Sequence, residues 1–318
     1  MEFGKTAAPA ASSKERRRCD TSIFKSKPES SEPKKLRILN LGAGVQSTTV
    51  ALMIHKGELP PIDCAIFADV QEEPKAIYKH LDWLTKEVAS SFQIYIVSAG
   101  KLGDGISVGP THAKGHTSIP AYTLGRRGEM GITRRQCTGD YKIQPIEQFI
   151  KRDLLGCAKG KRIPKGTEVT QIFGLSFEEL GRAERVKRSF HATGWSKFAR
   201  PEFPLIEKEM RRGHCIKWMK DYGVPHSVER SACVFCPYKS DKEWQRLKLG
   251  DPDDWNRALE VDELLRNGHS RASYGMWNAM YLHKSCKPLG EIDFSTPEER
   301  GDQSVMGFLG ECQGMCGT

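Results

Sequence analysis

Residues 37–52 read Arg-Ile-Leu-Asn-Leu-Gly-Ala-Gly-Val-Gln-Ser-Thr-Thr-Val-Ala-Leu, and they set the pattern for the rest of the chain. An apolar run predicts a buried strand, a turn of small residues follows it, and Ser47 and Thr48 open an amphipathic helix. The glycines let the backbone turn tightly enough to direct successive N–H groups at an anion, and the helix N-terminus adds partial positive charge. The stretch therefore predicts a loop that binds phosphate or sulfate.

Strand and helix patterns alternate from this stretch onward. The strand at 37–41 and the helix at 47–56 are followed by an apolar run at 64–68, a helical pattern over 74–88 and an apolar run at 93–97. This order implies an α/β fold: a twisted parallel sheet with right-handed crossovers and helices on both faces. Ligands bind at the carboxyl ends of the strands of such a sheet, where the loop and Asp69 both lie.

Later segments extend the pattern. A further strand covers 169–173 and ends at Gly174, and helical patterns cover 141–155, 177–188, 208–222, 241–249 and 252–266. The polar, glycine-rich stretch from 98 to 135 is too long for an ordinary connection, and it predicts a lid that folds over a ligand.

Composition indicates a soluble, cytoplasmic protein. The chain has 318 residues, of which 38% are hydrophobic, and no apolar run approaches the length of about 18 residues that crosses a membrane. Since the N-terminus carries no apolar segment typical of a secretory signal, the ten cysteines indicate reduced thiols or a metal site rather than a disulfide scaffold.

Charge divides the chain. The net charge is +9, and residues 1–37 contain ten basic and five acidic side chains, so they carry more than half of it. Residues 1–36 lack apolar periodicity and are expected to form a disordered basic tail, either solvated or acting as a nucleic-acid tether. We expect a nucleotide-binding α/β domain over 37–225 and a helical, cysteine-containing subdomain over 226–318.

The loop matches neither of two common phosphate-binding motifs. Its third glycine is missing for a Rossmann fingerprint, and no Gly-Lys-Ser/Thr follows for a Walker A loop. It resembles the PP-loop of the adenine nucleotide alpha-hydrolase superfamily, whose pattern is Ser-Gly-Gly-x-Asp-Ser/Thr. That superfamily contains ATP pyrophosphatases, tRNA thiolation enzymes and the reductases of PAPS and APS. Gly42, Ala43 and Gly44 take the first three places, Gln46 the Asp place and Ser47 the Ser place.

Glutamine at position 46 is familiar among PAPS reductases, which bind a sulfonucleotide and do not split ATP. An amide tolerates a nearby anion and can donate to it, whereas a carboxylate often serves a Mg²⁺-nucleotide. Two further segments, 69–74 and 174–185, resemble the corresponding stretches of these reductases. The resemblance implies an adenine nucleotide (ATP, PAPS or APS) bound by Gly42, Ala43, Gly44, Val45, Gln46, Ser47, Thr48, Asp69, Gly174 and Arg182.

Three cysteines form the second candidate site. The thiolates of Cys233 and Cys236, in a Cys-x-x-Cys pattern, can share one metal centre, and Cys137 lies upstream. In APS reductases a Cys-Cys pair and a later Cys-x-x-Cys hold a [4Fe–4S] cluster. The resemblance implies an iron–sulfur cluster on Cys137, Cys233 and Cys236, with one iron left open because Gln136 replaces the first cysteine. Alternatives are a structural zinc completed by His226 or Cys215, and a metal-free thiol pair.

The segment Glu311-Cys312-Gln313-Gly314 resembles the tail that carries the nucleophilic cysteine of sulfonucleotide reductases. There the thiolate attacks the sulfate sulfur to form a thiosulfonate, and a thiol reductant releases sulfite. The resemblance implies that Cys312 is catalytic, with Cys316 as a resolving thiol; alternatively, the tail has no special role. Basic groups that could activate the thiol are Arg134, Arg135, Lys142 and Lys239.

Together these features predict an adenine-nucleotide-binding, PAPS reductase-like enzyme of sulfur chemistry, by sulfonucleotide reduction or sulfur transfer, with a thiol reductant or sulfur donor as partner. One alternative is an ATP-dependent, adenylylating thiolation enzyme that acts on nucleic acid. Another is a non-catalytic module that binds nucleotide or nucleic acid and contains structural zinc.

Overall fold

The computed structural model of the protein describes residues 32–107, 119–125, 127–267 and 279–295. The strands are β1 (Lys35–Leu41), β2 (Cys64–Ala68), β3 (Gln93–Val97), β4 (Tyr122–Leu124), β5 (Met130–Ile132), β6 (Glu168–Phe173), β7 (Ala199–Glu202) and β8 (Met280–Tyr281). The α-helices are α1 (Val45–His55), α2 (Lys75–Glu87), α3 (Asp104–Ser107), α4 (Gln144–Phe149), α5 (Leu180–Ala192), α6 (Pro204–Glu207), α7 (Arg212–Tyr222), α8 (Asp241–Leu249) and α9 (Pro252–Asn267). Wider π-helical turns flank α4 at Gly139–Ile143 and Ile150–Leu154.

Five of the strands form a parallel sheet in the order β3-β2-β1-β6-β7. This arrangement confirms the predicted α/β class. A separate antiparallel sheet of three short strands has the order β5-β4-β8. None of these three short strands was predicted from the sequence.

Helices cover both faces of the parallel sheet because successive strand residues point to opposite sides. Leu39 and Leu41 of β1 pack in one core with α1, α2 and α7. Ile38 between them packs in a second core with residues of the 146–155 helical segment and of α5.

Helix α1 is buried on almost every side, and the prediction of an amphipathic helix was wrong. Val45 and every residue from Ser47 to Ile54 are buried. The side of α1 that faces away from the sheet packs against α7, so it too needs apolar residues.

A third core joins the C-terminal helices to the glycine-rich stretch. Side chains of α8 and α9 pack there with Leu102, Ile106 and Ile119, all of which are buried. The described parts of the 98–135 stretch are therefore not simply a polar lid, since they contribute α3, β4, β5 and apolar anchors; residues 108–118 lie outside the described ranges.

Element boundaries agree with the sequence except where a proline or a strained residue intervenes. Strands β2 and β3 and helix α8 have the predicted bounds, and β1 begins two residues earlier, at Lys35. Helix α7 begins at Arg212 rather than at Lys208, because the left-handed Glu209 (φ 53°) separates it from the short helix α6. In the described parts of the chain, no helix is long and apolar enough to span a membrane.

Candidate nucleotide and thiol site

The loop of residues 42–48 lies between the carboxyl end of β1 and the first turn of α1. Gly42 N–H donates to Ser47 Oγ (3.2 Å), whose hydroxyl lies 3.2 Å from the carbonyl oxygen of Gly44 and donates to it. Ala43 occupies the left-handed region (φ 54°). No side chain among the described residues caps α1, so the N–H groups of its first turn remain available to an anion.

Gly174, at the end of β6, packs directly on the start of α1. A Cβ atom at position 174 would lie 2.6 Å from both Cα and N of Ser47. Because the contact is with backbone, no side-chain adjustment would relieve it. The predicted placement of Gly174 beside the loop is therefore confirmed by a contact that only glycine permits.

The side chain of Gln46 is held from two sides. Its Nε2 donates to Ser176 Oγ (3.4 Å) and Glu179 Oε2 (3.3 Å), and its Oε1 accepts from Arg212 Nη1 (3.3 Å). These partners fix which way the amide points. The predicted nucleotide ligand Arg182 instead donates to Glu179 Oε1 (2.9 Å), so it reaches the loop only through Glu179.

Asp69 lies at the carboxyl end of β2, as predicted. Its Oδ1 accepts from the hydroxyl of Tyr78 (2.8 Å) and from the N–H of Gln71 (2.7 Å), a residue in the left-handed region (φ 59°). Burial, and then the charge of Asp69, raise the pKa of Tyr78, so the phenol remains a donor. Asp69 therefore shapes the turn that carries Glu72 and Glu73.

Two histidines connect α1 to a segment that crosses the loop, residues 226–231, which we call the strap. Thr48 Oγ1 lies 2.8 Å from His80 Nε2, and His80 Nδ1 lies 2.8 Å from His226 Nε2. Burial, reinforced by His226, lowers the pKa of His80 to about 4. Further along the strap, Ser231 N would lie 3.2 Å from a Cβ placed on Gly44. The strap therefore rests on the anion loop.

The Cys-x-x-Cys turn follows the strap directly and contains a polarised thiol pair. Hydrogen bonding from Cys233 lowers the pKa of Cys236 to about 6, with help from the charges of Lys239 and Arg230 and against the effect of burial. The same hydrogen bond, together with burial, raises the pKa of Cys233 well above its usual value. At neutral pH the pair therefore consists of a Cys236 thiolate and a Cys233 thiol.

Cys137 adjoins this pair through Lys142. The Lys142 ammonium lies 3.1 Å from Oε1 of the buried Glu73. Burial lowers the pKa of Lys142, but the charge and hydrogen bond of Glu73, together with Cys233 and Cys137, outweigh burial and raise it. The structure thus brings the three predicted cysteines to one region of the third core.

These cysteines are not arranged as a ligand set. Across the described ranges, no three His, Cys, Asp or Glu side chains are positioned to hold a metal ion. Neither partner suggested for a zinc site is placed to complete one: Cys215 is buried in the core beneath α1 and α7, and His226 bonds to His80. The iron–sulfur cluster therefore stays a prediction from resemblance, and the observed geometry is that of thiols.

Several predicted groups lie elsewhere. Cys312 and Cys316 fall outside the described residues, as does the tail up to residue 31. Of the four basic groups proposed near the thiols, Lys142 and Lys239 adjoin them, whereas the guanidinium of Arg135 lies over the ring of Tyr238 (5.4 Å).

Sequence reasoning missed Arg212 and Arg230. Arg230 bonds to Glu243 (2.6 Å) while its charge acts on Cys236. No spacing or motif links Arg212 to Gln46, since 166 residues separate them. Comparisons of the chain with protein-family models, with curated proteins and with solved structures found no match.

Proposed function

We propose that the protein is an adenine-nucleotide-binding enzyme of the PAPS reductase-like kind that performs sulfur chemistry, by sulfonucleotide reduction or sulfur transfer. The observation that carries the proposal is the strap. Its Ser231 rests on Gly44 of the anion loop, and Cys233 follows two residues later. A nucleotide bound at the loop would therefore have a polarised thiol pair close by.

The loop supports binding of an anionic nucleotide. The first turn of α1 offers N–H groups at the positive end of a helix, and Gln46 places a neutral amide where many PP-loops carry a carboxylate. Such an environment suits a sulfate or phosphate without a bound Mg²⁺. This favours a sulfonucleotide over ATP as the substrate.

The thiols support transfer of sulfur. A thiolate is the nucleophilic form of cysteine, and Cys236 is in that form at neutral pH. The thiolate of Cys312 would attack the sulfate sulfur, forming an S–S bond and releasing the nucleotide. A thiol reductant would then attack the sulfur of Cys312, release sulfite and leave a disulfide. Cys233 and Cys236 are the thiols suited to regenerate Cys312 by exchange.

Product analysis tests the proposal. Protein purified without oxygen would be incubated with PAPS, APS or ATP and a dithiol, and sulfite, AMP and pyrophosphate would be measured. We expect sulfite without pyrophosphate, and its loss in Cys312→Ser. Cys157→Ser is the matched control, since Cys157 packs in the second core, away from the thiol pair.

Other outcomes identify the alternatives. AMP and pyrophosphate from ATP would overturn reduction and indicate an adenylylating thiolation enzyme. Stoichiometric zinc, with no turnover of any nucleotide, would indicate the non-catalytic module. Iron and sulfide analysis of the same sample tests the predicted cluster on Cys137, Cys233 and Cys236.

A further inference from the structure

Arg212 presents a guanidinium to the first turn of α1. It is the first residue of α7, and its Nη1 donates to Gln46 Oε1 at 3.3 Å. Gln46 cannot turn its oxygen away, because its Nε2 donates to Ser176 and Glu179 on the other side. The half-buried arginine is therefore held at the edge of the anion loop.

The charge of Arg212 is not neutralised by a direct ion pair. In the part of the chain that the structure describes, its guanidinium bonds only to the neutral amide of Gln46. Glu178 accepts from the backbone N–H of Arg212 (2.8 Å) and not from its side chain. By contrast, Arg182 on the same side of the loop is paired with Glu179. The remaining N–H groups of Arg212 are thus available to an anion.

The identity of residue 46 decides whether this charge stays available. An aspartate there would form a charge-assisted bond with Arg212 and cancel much of its field at the loop. The glutamine positions the guanidinium equally well but leaves its charge intact. Gln46 and Arg212 thus act together as one positively charged feature beside the α1 N-terminus.

We propose that Arg212 binds the second anionic group of a nucleotide whose first anionic group lies at the N-terminus of α1. The site then selects nucleotides with two consecutive anionic groups, a diphosphate or a phosphosulfate, over a monophosphate. This inference rests on the proposed nucleotide binding, and it adds a specificity-determining residue that contacts the ligand.

Calorimetric titration with AMP, ADP and APS tests the assignment. We expect the wild-type protein to bind ADP or APS at least about tenfold more tightly than AMP, the size of one charge-assisted contact. In Arg212→Gln the preference should fall to near unity while the affinity for AMP changes little. Arg211→Gln is the matched control, because the Arg211 guanidinium lies over Phe177 and does not contact Gln46.

A second variant covers the case in which Arg212→Gln does not fold. Gln46→Asp keeps the arginine but pairs its charge, and it should lose the same preference. Equal tightening by ADP and APS means that charge alone is recognised; tightening by one of them identifies the terminal group. A preference that persists in both variants overturns the role of Arg212. Failure of the wild-type protein to bind any of the three would instead overturn the proposed function.

Discussion

Gly174 is the residue at which the sheet and the anion loop come closest. Its missing side chain allows β6 to end against the backbone of Ser47. In Gly174→Ala, the added methyl group would force the loop and β6 apart. Overpacking of this kind costs about 1–3 kcal/mol, so we expect a loss of that size in the free energy of unfolding, measured by urea denaturation.

The matched control for this change is Gly181→Ala. A Cβ atom at position 181 in α5 meets only the end of the Arg185 side chain, at 4.0 Å, and alanine is the better helix former. Its stability should be unchanged or slightly raised. If Gly174→Ala were equally harmless, the close approach between β6 and α1 would be wrong.

Cys236 is the residue whose protonation most affects the proposed chemistry. Its pKa of about 6 means that the thiolate fraction rises between pH 5 and 7 and then levels off. The rate of alkylation by iodoacetamide, followed by mass spectrometry on reduced, chelator-treated protein, should rise with the same midpoint.

The variant Cys233→Ala tests the cause of the low pKa. It removes the hydrogen bond that contributes most to the shift, so the midpoint should move upward toward that of an ordinary cysteine. A midpoint near pH 8.5 in the wild-type protein would show that the pair is not polarised.

Among single residues, the sequence identified those that local pattern defines. Gly42, Gly44 and Ser47 follow from the strand–turn–helix pattern, and the Cys-x-x-Cys spacing marks Cys233 and Cys236. Arg212 could not be found this way, because a surface arginine on a helix has many uses. Only the tertiary contact with Gln46 distinguishes it from Arg211.

Among the elements, α1 and α2 are joined by polar groups that few helix pairs bury. His80 of α2 is buried against Thr48 of α1 and bonds to His226 of the strap. An apolar contact would pack the two helices equally well. The histidine also connects the loop helix to the strap, and it makes this connection dependent on pH.

The pH dependence of stability reports on His80. Its pKa is about 4 in the fold and about 6.5 in an unfolded chain, so between these values only the unfolded chain takes up the proton. Stability should therefore be full above pH 6.5 and fall as the pH drops toward 4, by on the order of 3 kcal/mol. Urea denaturation at several pH values measures the slope.

The control for this prediction replaces each of two histidines. His80→Gln should flatten the slope between pH 6.5 and 4, because the variant has no group there to titrate. His191→Gln, at an exposed position on α5, should leave the slope as it is. An unchanged slope in His80→Gln would remove His80 as its source.

On the scale of the whole molecule, Glu72 ties the anion side to the thiol side. Its carboxylate is buried and accepts from Arg257 of α9 (2.7 Å), while its carbonyl oxygen accepts from the N–H of Val234 (2.8 Å). The turn after β2 therefore anchors both the cysteine turn and the C-terminal helices. Together with the strap, this links the two sites through two separate connections.

Bound nucleotide should consequently protect the whole molecule and the thiol pair. ADP at a hundred times its Kd would add about 2.7 kcal/mol to the free energy of unfolding and raise the Tm by roughly 5 °C. It should also slow the alkylation of Cys236, because a ligand under the strap restricts its opening. If ADP raised the Tm without changing the alkylation rate, the two sites would be independent.

The sequence by itself determined the α/β class, the order of the main strands and helices, the anion loop and the thiol pair. Each depends on residues close together in the chain, where periodicity and spacing are visible. Only the tertiary structure decided that α1 is buried on both sides, that the strap rests on Gly44, and that Arg212 meets Gln46. Those contacts join residues far apart in the chain, and such contacts leave no periodic trace in a single sequence.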